Sequence, residues 1–82
     1  MEVHKSALKH GVVYEDVVHA VTRFLVAYSL TDEHGGGPRR ELRLGPDRAG
    51  NLLETVVLLL DDDRELAIHA MRMRLKYREL LP

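Results

Sequence analysis

One apolar segment, residues 52–60, restricts the fold of this chain more than any other feature of the sequence. Nearly all of its side chains are aliphatic, which is typical of a central strand covered on both faces rather than of an exposed edge. The chain has 82 residues, and a chain of this length buries only about 60% of the surface of its unfolded state. We therefore expect a single domain over residues 1–82, with one sheet backed by two or three helices.

The composition limits both the chemistry and the location of the protein. Hydrophobic residues make up 45% of the chain, charged residues make up 30%, and there is no cysteine. The lack of cysteine excludes disulfides, thiolate nucleophiles and Cys-ligated zinc, and it fits a reducing compartment, so we expect a cytoplasmic protein. The longest unbroken apolar run, residues 56–60, is far shorter than the roughly 20 residues of a membrane span, and the first residues do not resemble a signal peptide. We expect no membrane partner.

The charges are balanced in number but unevenly distributed. The formal net charge is -1 and the pI is about 6.5, which is not typical of a globally basic nucleic-acid-binding protein. Near the end of the chain, four cations with no acid among them form a basic cluster: Arg72, Arg74, Lys76 and Arg78. Such a cluster can hold phosphate through charge-assisted hydrogen bonds. On a helix these side chains would divide between two opposite faces, and a solvated helix surface is the alternative interpretation.

Helix signals occupy the first part of the chain. Residues 3–9 contain helix formers and are followed by Gly11, so they predict a short first helix. Residues 14–23 place valines three and four positions apart and carry acids in the first turn. This pattern predicts a second, amphipathic helix.

Strand signals fill the middle of the chain and are separated by turn-rich segments. The predicted strands are residues 24–30, 40–44, 52–60 and 64–70, and the segments between them are residues 31–38, 46–51 and 61–63. Alternation in the second strand turns Leu42 and Leu44 toward the core. It turns Arg39, Glu41 and Arg43 toward solvent or a ligand. Successive strands joined in this way pair as an antiparallel meander.

The last segment allows two interpretations. Residues 71–78 alternate between apolar and basic side chains like a strand, but Met73 and Tyr77 also share one helical face. We favour a short terminal helix from about Leu75, because it can cover an edge of the sheet. The predicted fold class is therefore α+β, with two N-terminal helices, a four-stranded antiparallel sheet and a short C-terminal helix.

Five histidines raise the question of a metal site. No pair of them has the i, i+4 spacing of a helical zinc site, and no carboxylate completes a ligand set, so we expect no metal. His69 differs from the others because it ends a predicted strand beside the basic cluster. An imidazole in that position can exchange protons near neutral pH.

Several short motifs occur in an order that resembles a known family. They are Lys-His-Gly-Val at residues 9–12, an acid-opening helix, strands with Arg43 and Gly45, His-Ala-Met-Arg at residues 69–72, and Lys-Tyr-Arg at residues 76–78. This order is similar to that of BrnT-type toxins in the RelE-like ribonuclease toxin superfamily, especially a compact actinobacterial branch ending in His-Ala-Met. The family usually has Ser-Ala-Arg after its last strand, so the extra residue here leaves either Arg72 or Arg74 in the place of the family arginine.

The resemblance implies a RelE-like fold and a bacterial toxin that works with an antitoxin protein. It implies a metal-independent endoribonuclease without a cofactor, which cleaves mRNA, free or on the ribosome, and arrests translation. A homodimer and a toxin–antitoxin hetero-oligomer are both compatible with it. The implied catalytic residues are His69, His10, Arg72, Arg74 and Tyr77, and the implied RNA-binding residues are Lys9, Arg43, Lys76 and Arg78.

Metal-free RNA cleavage needs a base for the 2′-hydroxyl, cations for the developing phosphorane charge and an acid for the leaving oxygen. His69 or His10 can supply the base or the acid. Tyr77 is a proton donor, a stacking platform for a base, or simply a packing residue.

Two other classes of function compete with this hypothesis. In one, the protein is a non-catalytic interaction domain whose sheet or sheet edge binds a small partner protein. In the other it is a DNA-binding regulator, but no segment reads as a helix-turn-helix with a basic recognition helix. The interaction domain is therefore the main alternative.

Overall fold

The computed structural model describes residues 1–30 and 37–82, so most of the predicted loop at residues 31–38 lies outside the described residues. The strands are β1 (Glu2–Val3), β2 (Val26–Leu30), β3 (Arg39–Pro46), β4 (Leu52–Leu59) and β5 (Glu65–Arg72). The α-helix is α1 (Tyr14–Thr22). Two 3-10 helices, Lys5–Leu8 and Leu75–Leu80, complete the described elements.

The strands form one five-stranded mixed sheet in the order β1-β5-β4-β3-β2. Strands β2 to β5 pair antiparallel, whereas β1 pairs in parallel with β5. The predicted fold class is therefore wrong, because the sheet has a fifth, parallel strand and the described residues form one α-helix instead of two N-terminal helices. The apolar strand β4 does lie at the centre of the sheet, as its sequence predicts.

The N-terminal segment shows why the first helix prediction fails. Glu2 and Val3 pair with β5, and the backbone N–H of His4 donates to the Ala67 carbonyl at 2.8 Å. Only Lys5–Leu8 remains helical, as a 3-10 turn. A helix of seven residues is marginal on propensity alone, whereas the edge of β5 offers unpaired backbone groups. Strand pairing therefore takes the first residues out of the helix.

Helix α1 covers one face of the sheet, and it occupies nearly the predicted range. Its buried residues Val17 and Val21 belong to a core cluster with Val57, Ala67 and Ala70 from the two strands beneath. Each of these side chains is completely buried. Burial of aliphatic side chains on this scale is the main stabilising term for a domain of this size.

The terminal 3-10 helix, Leu75–Leu80, lies over the opposite face of the sheet. It begins at the predicted residue but is a 3-10 helix. The Tyr28 hydroxyl on β2 donates to the Leu80 carbonyl at 2.8 Å, which ties the end of the chain to the far edge of the sheet. Leu42 and Leu44 are buried, with 4% and 0% of their surfaces exposed, as predicted.

None of the helices in residues 1–30 and 37–82 is long and apolar enough to span a membrane.

Gly45 on β3 allows α1 to approach the sheet closely. A Cβ atom at this position would lie 2.6 Å from the Ala20 carbonyl oxygen and 2.8 Å from the Phe24 Cα. Both neighbours are backbone atoms, so a larger residue requires the helix to move.

We predict that Gly45→Ala lowers the free energy of unfolding by about 2 kcal/mol, because overpacking against backbone atoms displaces α1. Urea unfolding followed by circular dichroism measures the change. Ala27→Ser is the control, because it also adds one heavy atom to a side chain, here at a half-buried position of β2. A Gly45→Ala variant as stable as the wild type would show that α1 can shift without loss of packing.

Candidate functional site

A carboxylate is buried in the centre of the sheet, on the face opposite α1. Glu54 on β4 has 1% of its surface exposed. Its Oε1 accepts hydrogen bonds from the backbone N–H of Arg74 at 3.0 Å and from Arg74 Nε at 2.9 Å. Its Oε2 lies 2.7 Å from Arg74 Nη2 and 3.2 Å from His69 Nε2. His69 in β5 and Arg74 in the segment after β5 thus both contact the carboxylate.

These contacts keep Glu54 ionised. Burial alone would raise the pKa of Glu54, but the hydrogen bonds from the Arg74 guanidinium, the Arg74 backbone and His69 outweigh burial. The pKa of Glu54 is consequently lowered from its ordinary value. The carboxylate in turn raises the pKa of the Arg74 guanidinium through its hydrogen bond and charge.

A β-bulge between β4 and β5 lies beside this carboxylate. Val56 is opposite His69, whereas Val57 is opposite Ala67, so Ile68 is an extra residue without a partner across the strands. Bulges of this type change the direction of the side chains that follow them.

The bulge turns His69 toward Glu54. Ala67 and Ala70 are three residues apart, yet both are completely buried in the core cluster under α1. In a regular strand Ala67 and His69 would share that face, because side chains alternate with a period of two. The extra residue reverses the alternation, so His69 faces the side of the sheet that carries Glu54.

The N-terminal segment brings a second imidazole to the same place. The Ser6 hydroxyl, in the first 3-10 helix, donates to the Ile68 carbonyl at 2.6 Å and so docks the helix on the bulge. Two residues after that helix, His10 contacts His69 edge to face, with 5.5 Å between ring centroids. Gly11 follows with φ of 85°, a left-handed conformation that favours glycine.

Tyr77 completes the cluster on the other side of Arg74. The Arg74 Cζ atom lies 5.7 Å from the centroid of the Tyr77 ring, and the Lys76 Nζ atom lies 5.0 Å from it. The side chain of Arg74 is 47% exposed, so its guanidinium meets both the buried carboxylate and solvent. We call the group of His10, His69, Glu54, Arg74 and Tyr77 the Glu54 cluster.

The structure therefore brings together four of the five predicted catalytic residues: His10, His69, Arg74 and Tyr77. Arg72 is exposed at the end of β5. Because side chains alternate along the strand, Met71 lies on the Glu54 side of the sheet and Arg72 lies on the α1 side. Of these two arginines, Arg74 belongs to the Glu54 cluster and Arg72 does not. Of the predicted RNA-binding residues, Lys9 adjoins His10, Lys76 contacts Tyr77, and Arg78 is exposed on the terminal helix.

The position of Arg43 differs most clearly from the predicted one. Its side chain is 7% exposed and lies on the α1 face, where it bonds Glu65 through two N–H groups at 3.0 and 2.7 Å and Glu41 through Nε at 2.7 Å. It also donates to the Val21 carbonyl at 2.8 Å, and its Cζ lies 4.8 Å from the Phe24 ring centroid. The prediction that Arg43 faces solvent or a ligand is wrong, because both faces of β3 are covered.

Glu54 is not among the predicted site residues, although the sequence contains a signal for it. Glu54 is the single charge within the strand that the sequence predicts to be covered on both faces. A charge in such a position must be paired, since an isolated buried carboxylate is costly. That requirement could have identified Glu54 as a partner for an imidazole or an arginine.

No family model matches the chain, and no curated protein or solved structure matches it. The interpretation of the site therefore depends on its own geometry. Within residues 1–30 and 37–82, no group of three histidine or carboxylate side chains is arranged to hold a metal ion.

We predict that Arg43→Leu lowers the free energy of unfolding by about 3 kcal/mol, because Glu41 and Glu65 lose the cation between them. Chemical unfolding measures the change. Arg39→Leu, an exposed cation of the same strand, serves as the control and should change stability by less than about 0.5 kcal/mol. Equal effects of the two substitutions would contradict a structural role for Arg43.

A second prediction concerns Arg74 and pH. Arg74→Ala should lower Tm at pH 7, because the Glu54 carboxylate then lacks its guanidinium partner. The lowered pKa of Glu54 stabilises the wild-type fold at pH values above the ordinary carboxyl value of 4.5, and this contribution is lost as pH falls through the lower folded value. The difference in Tm between wild type and variant should therefore shrink as pH falls below 4.5.

Thermal unfolding at a series of pH values between 7 and 3 measures this difference. Arg78→Ala removes the same charge from an exposed position of the terminal helix and should leave Tm nearly unchanged across the series. A difference for Arg74→Ala that stays constant down to pH 3 would show that Glu54 is not its source.

Proposed function

We propose that this protein is a metal-independent endoribonuclease, the toxin of a toxin–antitoxin pair that acts in the cytoplasm. The observation that carries the proposal is the edge-to-face contact of His10 and His69 beside the Arg74 guanidinium. Two imidazoles and a cation can supply the base, the acid and the charge stabilisation that cleavage of RNA through its own 2′-hydroxyl needs. The resemblance to BrnT-type toxins points to the same reaction.

The reaction needs no group outside the chain and the RNA. One imidazole accepts the proton of the 2′-hydroxyl while the 2′-oxygen attacks the adjacent phosphorus. The bond from phosphorus to the 5′-oxygen breaks, and the other imidazole, initially protonated, donates its proton to that oxygen. The products are a 2′,3′-cyclic phosphate and a 5′-hydroxyl, and the two imidazoles end with their protonation states exchanged.

Cations around the pair supply the electrostatic part of catalysis. Arg74 is half exposed beside His69, so its guanidinium can stabilise charge on the phosphorane oxygens while it remains bonded to Glu54. Lys9 precedes His10 and is exposed, which suits it to contact a neighbouring phosphate. Tyr77 is half-buried and has the cations of Arg74 and Lys76 over its ring, so a nucleobase can stack on this ring when the exposed Lys76 side chain moves aside.

We predict that His69→Asn and His10→Asn each reduce RNA cleavage by about 100-fold or more, because each removes a proton-transfer group. The purified protein is incubated with mRNA in the presence of EDTA, and the fragments are counted by sequencing of their 5′ ends. The same variants are induced in a bacterial host, where growth and RNA integrity are followed.

His4→Asn is the matched control, since His4 is exposed and its ring caps the Ser6 N–H, a role that asparagine also fills. It should retain cleavage and growth arrest. Folded wild-type protein that neither cleaves RNA nor arrests growth would contradict the proposal.

The interaction domain remains the second candidate because of strand β2. This strand lies at an outer edge of the sheet, and Val26–Leu30 contains no charged side chain. Sheet edges usually carry charges, proline or bulges that prevent pairing with other chains, so an uncharged edge suits the addition of a partner strand. Binding of a small partner protein by a chain that, once separated from it, cleaves no RNA would favour this function.

A further inference from the structure

We propose that Glu54 is a positioning residue that fixes His69 with its proton on Nε2, which leaves Nδ1 as the proton acceptor and makes His69 the general base. The assignment of the base rests on the proposed function. The tautomer itself does not, because it follows from the contacts within the Glu54 cluster.

The geometry around Glu54 permits only one neutral form of His69. The carboxylate is buried and bonded to a guanidinium and a backbone N–H, so it accepts hydrogen bonds and has no proton to donate. The contact of 3.2 Å between Oε2 and His69 Nε2 is a hydrogen bond only if Nε2 carries the proton. A neutral His69 then has its lone pair on Nδ1.

The location of Glu54 keeps this arrangement rigid. Glu54 lies in the central strand, and its Oε1 is bonded twice to Arg74, so the carboxylate cannot rotate away from His69. The bulge at Ile68 fixes the strand that presents the imidazole. Among the described residues, those around the His69 ring include Glu54 from β4, which contacts its Nε2, Arg74 from the segment after β5, which bonds the same carboxylate oxygen, and His10 from the N-terminal segment.

His10 takes the opposite role in the reaction. His69 is 25% exposed and held by a carboxylate, whereas His10 is exposed. A base held in one tautomer can receive the 2′-hydroxyl proton on Nδ1 without reorientation. The protonated imidazole of His10 then donates its proton to the departing 5′-oxygen.

The first test is the tautomer of His69 in the wild-type chain, measured by two-dimensional proton–nitrogen NMR of the imidazole rings at the alkaline plateau of their titration. We expect a protonated Nε2 and an unprotonated Nδ1.

The same spectrum contains an internal reference of the opposite type. His19 Nδ1 lies 2.8 Å from the Pro46 carbonyl oxygen, which only accepts hydrogen bonds, so Nδ1 of His19 carries the proton. A His69 spectrum like that of His19 would overturn the proposal, whether or not the protein cleaves RNA.

The second test is Glu54→Gln. The glutamine oxygen can accept from Arg74, and its amide group then donates toward His69 Nε2, so the proton of His69 should move to Nδ1. We expect the NMR signature of His69 to change to that of His19 and cleavage to fall by about 100-fold or more, because the general base is lost. Glu65→Gln is the matched control, since Glu65 is bonded to Arg43 on the other face of the sheet. It should change neither the His69 signature nor cleavage.

The third test separates base from acid. In an RNA with sulfur in place of the 5′-bridging oxygen at the cleavage site, the thiolate leaves without a proton, so the reaction no longer needs the acid. On this substrate His10→Asn should recover to within about 10-fold of the wild type, while His69→Asn should remain at least about 100-fold slower. Recovery of His69→Asn instead would overturn the assignment.

One outcome distinguishes this inference from the proposed function. If folded wild-type protein cleaves neither substrate but shows His69 protonated on Nε2, the proposed function fails and the role of base falls with it. The positioning of His69 by Glu54 is then supported by the NMR result alone.

Discussion

The position of the end of the chain depends on the buried charge of Glu54. Glu54 lies in the strand that the rest of the sheet surrounds, and its carboxylate has almost no access to water. Such a group is tolerated only if hydrogen bonds replace its hydration, and all four of those bonds come from His69 in β5 or from Arg74, the residue that precedes the terminal 3-10 helix. The requirement to satisfy Glu54 therefore determines where the end of the chain lies.

Each face of the sheet contains one arginine paired with a carboxylate. Arg43 and Glu65 are bonded on the α1 face, and Arg74 and Glu54 are bonded on the other. Both arginines appear in the sequence as free cations available to a phosphate, but each compensates an acid within the fold. The basic cluster near the end of the chain is accordingly less basic than its sequence indicates, and a substitution of either arginine tests stability as well as function.

Local patterns predict the elements of this chain better than their arrangement. The apolar segment identifies β4 and the valine spacing identifies α1, because each pattern depends on neighbours within about ten residues. The side-chain pattern of the last segment fits a strand as well as a helix, so the terminal helix is predicted only from its expected place at an edge of the sheet. The parallel pairing of Glu2 and Val3 depends on an edge that is more than sixty residues away in the chain. Periodicity also fails where a strand is covered on both faces, since every position is then buried, and for that reason the exposure of Arg43 was predicted wrongly.

The candidate site arises from an irregularity that no sequence period describes. One extra residue in β5 turns His69 away from α1 and leaves Ile68 without a partner across the strands. The Ser6 hydroxyl donates to the Ile68 carbonyl, and the segment docked by this hydrogen bond places His10 against His69. Because a single bulge both orients one imidazole and anchors the segment that carries the other, the two histidines cannot be positioned independently. A shift of one residue in the pairing of β4 with β5 would separate them and would return His69 to the core beneath α1.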